Sequence, residues 1–543
     1  MSGEYMNTFF TIAPGPQEAK VLSEIQIDKM RVHDVEKVII FSTNEKDVSS
    51  KLSAEILSLN LECEIIKLSS LSTEGIEDST QLRSTPWKIA NEMVSAYNDA
   101  GDAITMHGRG TGLHSHLLWV VANSFGSKSV SWDGDYHSDY IHNDEQLNSL
   151  VAPKLMSAIL ELNAKKSLQL FDSTTISSEE GVTELAGVQA AANPCISRGL
   201  LSAVRNKYST FYQLTSSGIP VALKYWTEQR LNLEEPKFKQ LLISFSRLAD
   251  RGTKNLVNII TKIEPHDSYL FILQRYMDSP KSGVFTIDQL LGDESFTEIH
   301  DELIRFNDVI SRRKEEEEFE MLSPLVLINP SADQTFSLEF QSRMFCELRK
   351  NEYENGLFKW NFDLTSCVGK IQTQVSEFAT ASRSNLYYVL KSRKGEGVTG
   401  TEVSSSPFSR ADHVLQLPSY LALESLKGLA DSKLMALVVL QYYEKGVFSK
   451  PEKAKSLSDF VNRDRKISIN NGLTFKDLSE FVTPLAEIVG HDIKIERNHT
   501  RLAGELISNK FIHRVNDVGT SRYVLTELGT FVANWVIKQL GWE

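Results

Sequence analysis

The sequence predicts an α/β fold repeated in tandem: two Rossmann-like parallel-sheet domains, each followed by a winged helix-turn-helix domain. Three observations carry this. β-rich and helical segments alternate from Thr8 to Trp132, and the alternation resumes at Gln240. The central strands are short continuous apolar runs, as in parallel sheets covered on both faces. Two segments also end in nearly the same phrase: Tyr-Gln-Leu-Thr-Ser-Ser-Gly at Tyr212–Gly218 and Tyr-Val-Leu-Thr-Glu-Leu-Gly at Tyr523–Gly529. Each follows two predicted helices and a short polar hairpin. A phrase that recurs with its context marks an internal duplication. The expected domains span residues 1–150, 151–235, 236–425 and 426–543.

In the first copy, Thr8–Ala13 is β-rich and stops at Pro14-Gly15-Pro16. Gln17–Arg31 has a helical pattern, Lys37–Ser42 (KVIIFS) is a strand and Asp47–Leu59 is helical. Glu62–Leu68 is a strand, Thr85–Ala100 a helix and Asp102–Met106 a strand. The turn His107-Gly-Arg-Gly-Thr-Gly112 leads into a helix over Leu113–Ser124 and a strand over Ser127–Trp132. Such a series implies a doubly wound sheet with right-handed crossovers.

The second copy follows the same plan with longer insertions. Strands are expected at Gln240–Ser246, Ser268–Gln274, Pro324–Asn329, Leu357–Leu364, Asn385–Lys391 and His413–Leu417. Helices are expected at Gly252–Ile263, Thr297–Glu320, Ser337–Asn351 and Ile371–Ala381. The run Arg312–Glu320 (RRKEEEEFE) reads as the solvated end of a helix. Ser392–Ser409, rich in Gly, Ser and Thr, reads as a flexible surface loop. After each sheet comes a helix that opens alike, Lys154-Leu-Met and Lys433-Leu-Met.

Composition bounds the function. Of 543 residues, 41% are hydrophobic and 24% charged, as in globular proteins. No apolar run reaches the ~18–20 residues that span a bilayer. Cys63, Cys195, Cys346 and Cys367 are scattered without Cys-x-x-Cys spacing, which argues against a disulfide framework or a zinc site and favours a reducing cytosol. His107, His114 and His116 lack a carboxylate at ligand spacing, so no metal is expected, and no cofactor motif is present. The net charge is −13, yet both expected winged segments are basic islands. Gly181–Lys224 sets Arg198, Arg205, Lys207 and Lys224 against Glu184. His491–Val524 sets six cations against four carboxylates. Affinity for nucleic acid depends on the local face rather than the total charge.

Ligands of open parallel sheets bind beyond the carboxyl ends of the strands. In the first copy two turns should converge there, one with Pro14 and Gly15, the other with His107, Gly108, Arg109, Gly110, Thr111 and Gly112. Glycines permit close backbone approach, and the helix N-terminus that follows suits a phosphate. The equivalents in the second copy are Arg247–Gly252 and the turn with Thr365, Ser366, Gly369 and Lys370. Neither turn has the spacing of a dinucleotide fingerprint or a P-loop. Cys367 lacks a partner base and reads as a small buried hydrophobe.

In the winged segments, base readout would fall to the second helix of each unit. In the first copy, Gly181–Ala191 would support and Asn193–Val204 would read. Ser197 and Arg198 would lie at its exposed start, with Leu200, Leu201 and Val204 facing the core. The wing would be Arg205–Tyr212, with Asn206 and Lys207 at its tip. In the second copy, Leu478–Val489 would support and Arg497–Ile507 would read, exposing Arg497, Asn498, His499 and Arg501. Its wing would be Arg514–Tyr523, flanked by Arg522. Lys and Arg would grip phosphates, while Arg and Asn would read base edges. Winged helices also serve as protein-docking modules.

A Rossmann-like sheet with a glycine-rich turn after its fourth strand, followed by a winged helix, resembles the CARF (CRISPR-associated Rossmann fold) family of regulators. There the turn typically reads like Asn-Leu-Thr-Gly-Gly-Thr-Lys. Asp363-Leu-Thr-Ser-Cys-Val-Gly-Lys370 is similar, with Ser and Cys where the family has glycines. His107–Gly112 keeps the glycines and loses the Lys. The resemblance implies two sheets paired around one cyclic oligoadenylate, here within one chain as a pseudo-dimer or further as a homodimer. It also implies double-stranded DNA as partner and a role in prokaryotic antiviral signalling. Some family members cleave their own ligand, which leaves a ring-nuclease-like enzyme as one alternative and a non-catalytic docking scaffold as another.

Overall fold

The computed structural model describes residues 7–13, 27, 30–31, 33–43, 49–69, 79–97, 102–106, 112–131, 134–135, 152–166, 170–177, 185–231, 238–246, 252–273, 283–294, single positions between 297 and 311, 325–329, 336–365, 367, 370–390, 413–418, 431–444, 472–488, 499–517 and 520–539. The chain is a mixed α/β protein with two largely parallel sheets and helices packed on them.

The first sheet holds β1 (Thr8–Ile12), β2 (Lys37–Ser42), β3 (Glu62–Lys67), β4 (Ala103–Met106), β5 (Lys128–Ser131) and β6 (Gly134–Asp135) in the order β3-β2-β1-β4-β5-β6. β1 to β5 run parallel and β6 turns back antiparallel. Its helices are α1 (Ser49–Ser58), α2 (Ser79–Tyr97) and α3 (Gly112–Ser124). Alternation along the strands divides the core. Phe10, Ile12, Ile39 and Phe41 face α2 and α3, whereas Phe9, Val38 and Ile40 face Leu52 and Ile56 of α1.

A first small unit follows: α4 (Ala152–Lys166), β7 (Phe171–Asp172), α5 (Ser173–Ser177), α6 (Leu185–Ser197), β8 (Leu201–Arg205), β9 (Thr210–Leu214) and α7 (Gly218–Leu231). Its three strands form an antiparallel sheet in the order β7-β9-β8.

The second large sheet holds β10 (Lys239–Ser246), β11 (Asp267–Leu273), β12 (Gly283–Thr286), β13 (Leu325–Asn329), β14 (Phe358–Asp363), β15 (Asn385–Val389) and β16 (Val414–Gln416), with α8 (Gly252–Ile263), α9 (Ile287–Leu291), α10 (Phe336–Asn355) and α11 (Lys370–Ala381). Its order is β12-β13-β11-β10-β14-β15-β16. Remove β12 and the order of the first sheet returns, with the last strand again antiparallel. The sequence reading missed β12 and α9. β12 pairs antiparallel onto β13 and forms the edge of the sheet, and α9 follows it with a complete capping box at Thr286 and Gln289.

The second small unit comprises α12 (Asp431–Glu444), β17 (Leu473–Thr474), α13 (Phe475–Ile488), α14 (His499–Ser508), β18 (Ile512–Asp517), β19 (Thr520–Leu525) and α15 (Glu527–Gln539). Its sheet order, β17-β19-β18, matches that of the first unit.

The repeated Leu-Thr-x-x-Gly phrase has a physical cause. The Thr215 hydroxyl donates to Gly199 O at 2.6 Å and accepts from Gly218 N at 3.1 Å. The Thr526 hydroxyl donates to Lys510 O at 2.6 Å and accepts from Gly529 N at 3.0 Å. Each threonine thus caps the closing helix and ties it to the turn after the preceding helix. Each glycine lies so close to a carbonyl, Leu200 O or Phe511 O, that a Cβ would overlap it. The residue ending the preceding helix has positive φ in both units, Gly199 at 70° and Lys510 at 59°. The units therefore align without a gap from Cys195/Leu506 through Gly218/Gly529.

The reading helix of the first unit needs correction. Residues 185–197 form one helix, α6, and Leu201–Arg205 is a strand. Asn193-Pro194 reads as a helix start, but Pro194 lies inside the last turns, and positive φ at Gly199 ends the helix. Ser197 is therefore near the C-terminal end of the helix and Arg198 is in the turn beyond it. Leu200 and Leu201 are buried as expected, but Val204 is 51% exposed on β8. In the second unit α13 and α14 fall close to the expected helices.

The small units are seated crosswise. α4 and α7 of the first pack on α10 and α11 of the second sheet, whereas α15 of the second packs on α2 of the first sheet. One hydrophobic core, with Phe41, Tyr97, Trp226, Trp360 and Phe531 among its members, runs through all four parts.

Candidate functional site

The start of the helix that follows β4 meets the chain just after the equivalent strand β14. Gly112, the first residue of α3, lies against the copy-two turn: a Cβ there would stand 3.0 Å from Leu364 O and 3.7 Å from Cys367 O. Gln372 of α11 donates its amide to Gly112 O. One turn deeper, His116 bridges the two halves, with Nδ1 2.9 Å from Ser376 Oγ and Nε2 2.7 Å from Pro418 O. α3 and α11, the helices that follow the two turns, thus pack on each other. Burial pushes the pKa of both His114 and His116 down to about 4, so both imidazoles are neutral at pH 7. His116 is a joint between the halves.

On the copy-two side, Asp363 is fully buried at the end of β14, and its pKa is pushed up to about 6 by desolvation. Thr365 N donates to Asp363 Oδ1 at 2.8 Å, and Val389 N donates to Thr365 Oγ1 at 3.0 Å. The Thr365 side chain, expected to touch ligand, is thereby tied to β15. Cys367 is buried, its Sγ 3.7 Å from Asp363 O, as expected of a small core residue. Lys370 begins α11. Pro14, Gly15, His107, Gly108, Arg109, Gly110, Thr111, Arg247, Ser366 and Gly369 lie outside the described residues, as does the Lys370 side chain.

The second surface is that of the small units. In the first, the β8–β9 hairpin turns at Asn206–Ser209. Asn206 Oδ1 accepts from Tyr208 N at 2.8 Å and from Ser209 N at 2.7 Å, an Asx turn that projects Lys207 and leaves Tyr208 85% exposed. Lys207 Nζ sits 5.6 Å above the Tyr208 ring. Arg205 is exposed beside it, whereas Arg198 is half-buried. Ser197 is exposed, with its hydroxyl donating to Pro194 O at 2.9 Å.

Sequence reasoning missed Gln189 and Asn193. With Ser197 they form an exposed polar stripe at i, i+4 and i+8 along α6. That spacing was legible only once the helix was extended back through Asn193.

In the second unit, Arg522 Nη1 donates to Gly472 O at 3.0 Å, so this expected DNA contact is a half-buried clamp between β19 and the start of β17. The exposed Arg514 donates to Ser521 Oγ across the β18–β19 pair. Arg497 and Asn498 lie outside the described residues, as do the side chains of His499 and Arg501.

No protein-family model and no curated protein matches the chain. No helix among the described residues is long and apolar enough to cross a membrane.

Proposed function

We propose that this protein is a ligand-responsive DNA-binding regulator of the CARF type, with two Rossmann-like sheets that sense a cyclic oligoadenylate-like nucleotide and two winged helices that bind duplex DNA. The observation that carries this is the contact of Gly112, at the start of the helix after β4, with Leu364 and Cys367 after the equivalent strand β14. Equivalent positions of two repeated sheets brought together in this way suit a ligand with its own internal symmetry.

Each turn also begins a helix with a short packed path to a winged unit. α11 packs on α7 of the first unit, and α3 packs on α2, which holds α15 of the second. A ligand that rearranged the turns would change the relative placement of the two wings. DNA would then alter ligand affinity by the same factor.

The test is a thermal shift with a panel of cyclic oligoadenylates on wild type and on Arg109→Ala/Lys370→Ala. A rise for one ring size that the double variant loses supports the sensor. No rise with any member overturns it. Duplex binding is measured separately by fluorescence anisotropy against salt, where each phosphate contact adds roughly 0.9 to the slope of log K against log salt.

A further inference from the structure

The β8–β9 hairpin of the first small unit presents a ring as well as cations. Tyr208 at its tip is the most exposed large apolar or aromatic side chain among the described residues. It does not hang on a loose loop, because Asn206 Oδ1 holds the backbone N–H of both Tyr208 and Ser209 and so presets the turn. The cross-strand pairs of the hairpin divide its two faces. Leu201 pairs with Leu214 and Ala203 with Tyr212 on the side of the core, where Leu201, Tyr212 and Leu214 are buried. Val204 pairs with Phe211 on the other side, where Val204 is exposed and Phe211 half-buried. Apolar surface thus continues from the outer face of the hairpin to its tip. A ring held in water by a fixed turn forgoes the stabilisation that burial would return.

Charge says what would cover it. Lys207 Nζ lies over the Tyr208 ring, and Arg205 is exposed at the last cross-strand pair before the turn. The stretch 185–218 that builds α6 and the hairpin carries three cations, Arg198, Arg205 and Lys207, and no carboxylate. A polyanion complements it. Dimensions then limit which part of the hairpin can enter a duplex. α6 ends where the hairpin begins, so with α6 in a major groove the hairpin stands over the neighbouring minor groove. That groove is about 6 Å wide. Paired strands already lie about 4.8 Å apart before their side chains are added, so the ribbon itself does not fit. Only the tip enters, and its side chains are a cation and an aromatic ring.

Resting on the DNA-binding reading above, we infer that Tyr208 is a wedge: its ring enters the minor groove and unstacks one base step of the bound duplex. Arg205 and Lys207 hold the phosphates on either side. Val204 and Phe211 cover the sugars along the groove wall. Prising a step open is easiest at the flexible pyrimidine–purine steps TA and CA/TG, so the hairpin selects sequence through deformability without hydrogen-bonding a base edge.

The test starts from a duplex that the full chain selects from a randomised library. A set of copies carries 2-aminopurine, whose fluorescence rises on unstacking, in place of one adenine each; both flexible steps contain an adenine. Wild type should raise the fluorescence at a single step. Tyr208→Ala should lose that rise and bind the duplex about tenfold more weakly with an unchanged salt slope, because stacking and not charge has been removed. Tyr208→Phe should keep both the rise and the affinity. Lys207→Ala should keep the rise and lower the salt slope by roughly 0.9. Since Tyr208 is exposed, free Tyr208→Ala should melt with wild type, which separates a lost contact from a lost fold. Duplex binding with no rise at any position overturns the inference, as does a rise that Tyr208→Ala retains. Failure of the full chain to bind any duplex overturns the DNA-binding reading itself, an outcome distinct from binding without unstacking.

Discussion

Where the first small unit meets the second sheet, charge is buried; where the second unit meets the first sheet, rings and an alkyl-rich helix do the same task. At the first junction Arg230 of α7 pairs with Glu352 of α10 and donates to Phe358 O at 2.6 Å. Arg349 bridges Glu161 at 3.0 Å and Glu352 at 3.2 Å. Trp226 and Tyr353 also donate to Glu161, and the Arg230 guanidinium lies 5.2 Å from the ring centres of both Trp226 and Trp360. Burial raises the pKa of Glu352 and lowers that of Arg230, so desolvation outweighs the ion pair for both.

At the second junction Phe531 of α15 packs 5.1 Å from Trp87 and 5.8 Å from Phe125. The polar contacts are at its margin: Asn91 to Glu527, and Lys538 to Tyr97 O at 3.1 Å. Equivalent positions in a duplicated architecture have thus been filled by opposite chemistry. A buried ion cluster tolerates no missing partner, because the charge left behind is stranded in low dielectric. An apolar junction loses stability in proportion to the atoms removed.

The largest effect should come from Glu352→Ala, which leaves Arg230 without its carboxylate. We expect a loss of about 3–5 kcal/mol by denaturant titration. Replacing Arg230 and Glu352 together by Met and Leu should cost far less; an equal cost would mean that the pair supplies net stability and that the contrast drawn here is wrong. Phe531→Ala at the other junction should cost about 3 kcal/mol, with no rescue by a partner change.

Acid comes next. His114 and His116 have folded-state values near 4, below their ordinary value of 6.5. Between those values the unfolded chain binds more protons, so stability is complete above pH 6.5 and falls as pH drops toward 4. Each imidazole should contribute a loss of about 2 kcal/mol between pH 7 and pH 5. His116→Gln should remove its share of the slope, visible as a smaller acid shift in melting temperature.

The smallest effect separates the two small units themselves. Lys510 holds the positive φ that Gly199 holds in the first unit, so Lys510→Gly should stabilise by roughly 0.5–1 kcal/mol. A loss of stability would mean that the lysine side chain contributes more than its backbone costs.

Much of this was legible in the chain. Lys37–Ser42 and Gly252–Ile263 fall at their expected bounds, because a strand buried on both faces and an amphipathic helix each impose a strong local pattern. The duplication was legible because Thr215/Gly218 and Thr526/Gly529 solve the same close-packing problem, which admits few other residues. β12 was missed because a four-residue edge strand leaves almost no periodic signal. α6 was divided because Asn-Pro is a helix-start signal in isolation, and only the packing of Val188, Ala192 and Cys195 on one buried face overrides it.

The sequence by itself determined the two sheets and the repeated small units, since each depends on hydrogen bonds and burial among near neighbours. Only the tertiary structure decided that Gly112 meets Leu364, that His116 joins the halves and that α15 returns to α2 across 436 residues between Asn91 and Glu527. Those pairings depend on which apolar faces match in shape after the elements have formed, and local patterning does not carry that information.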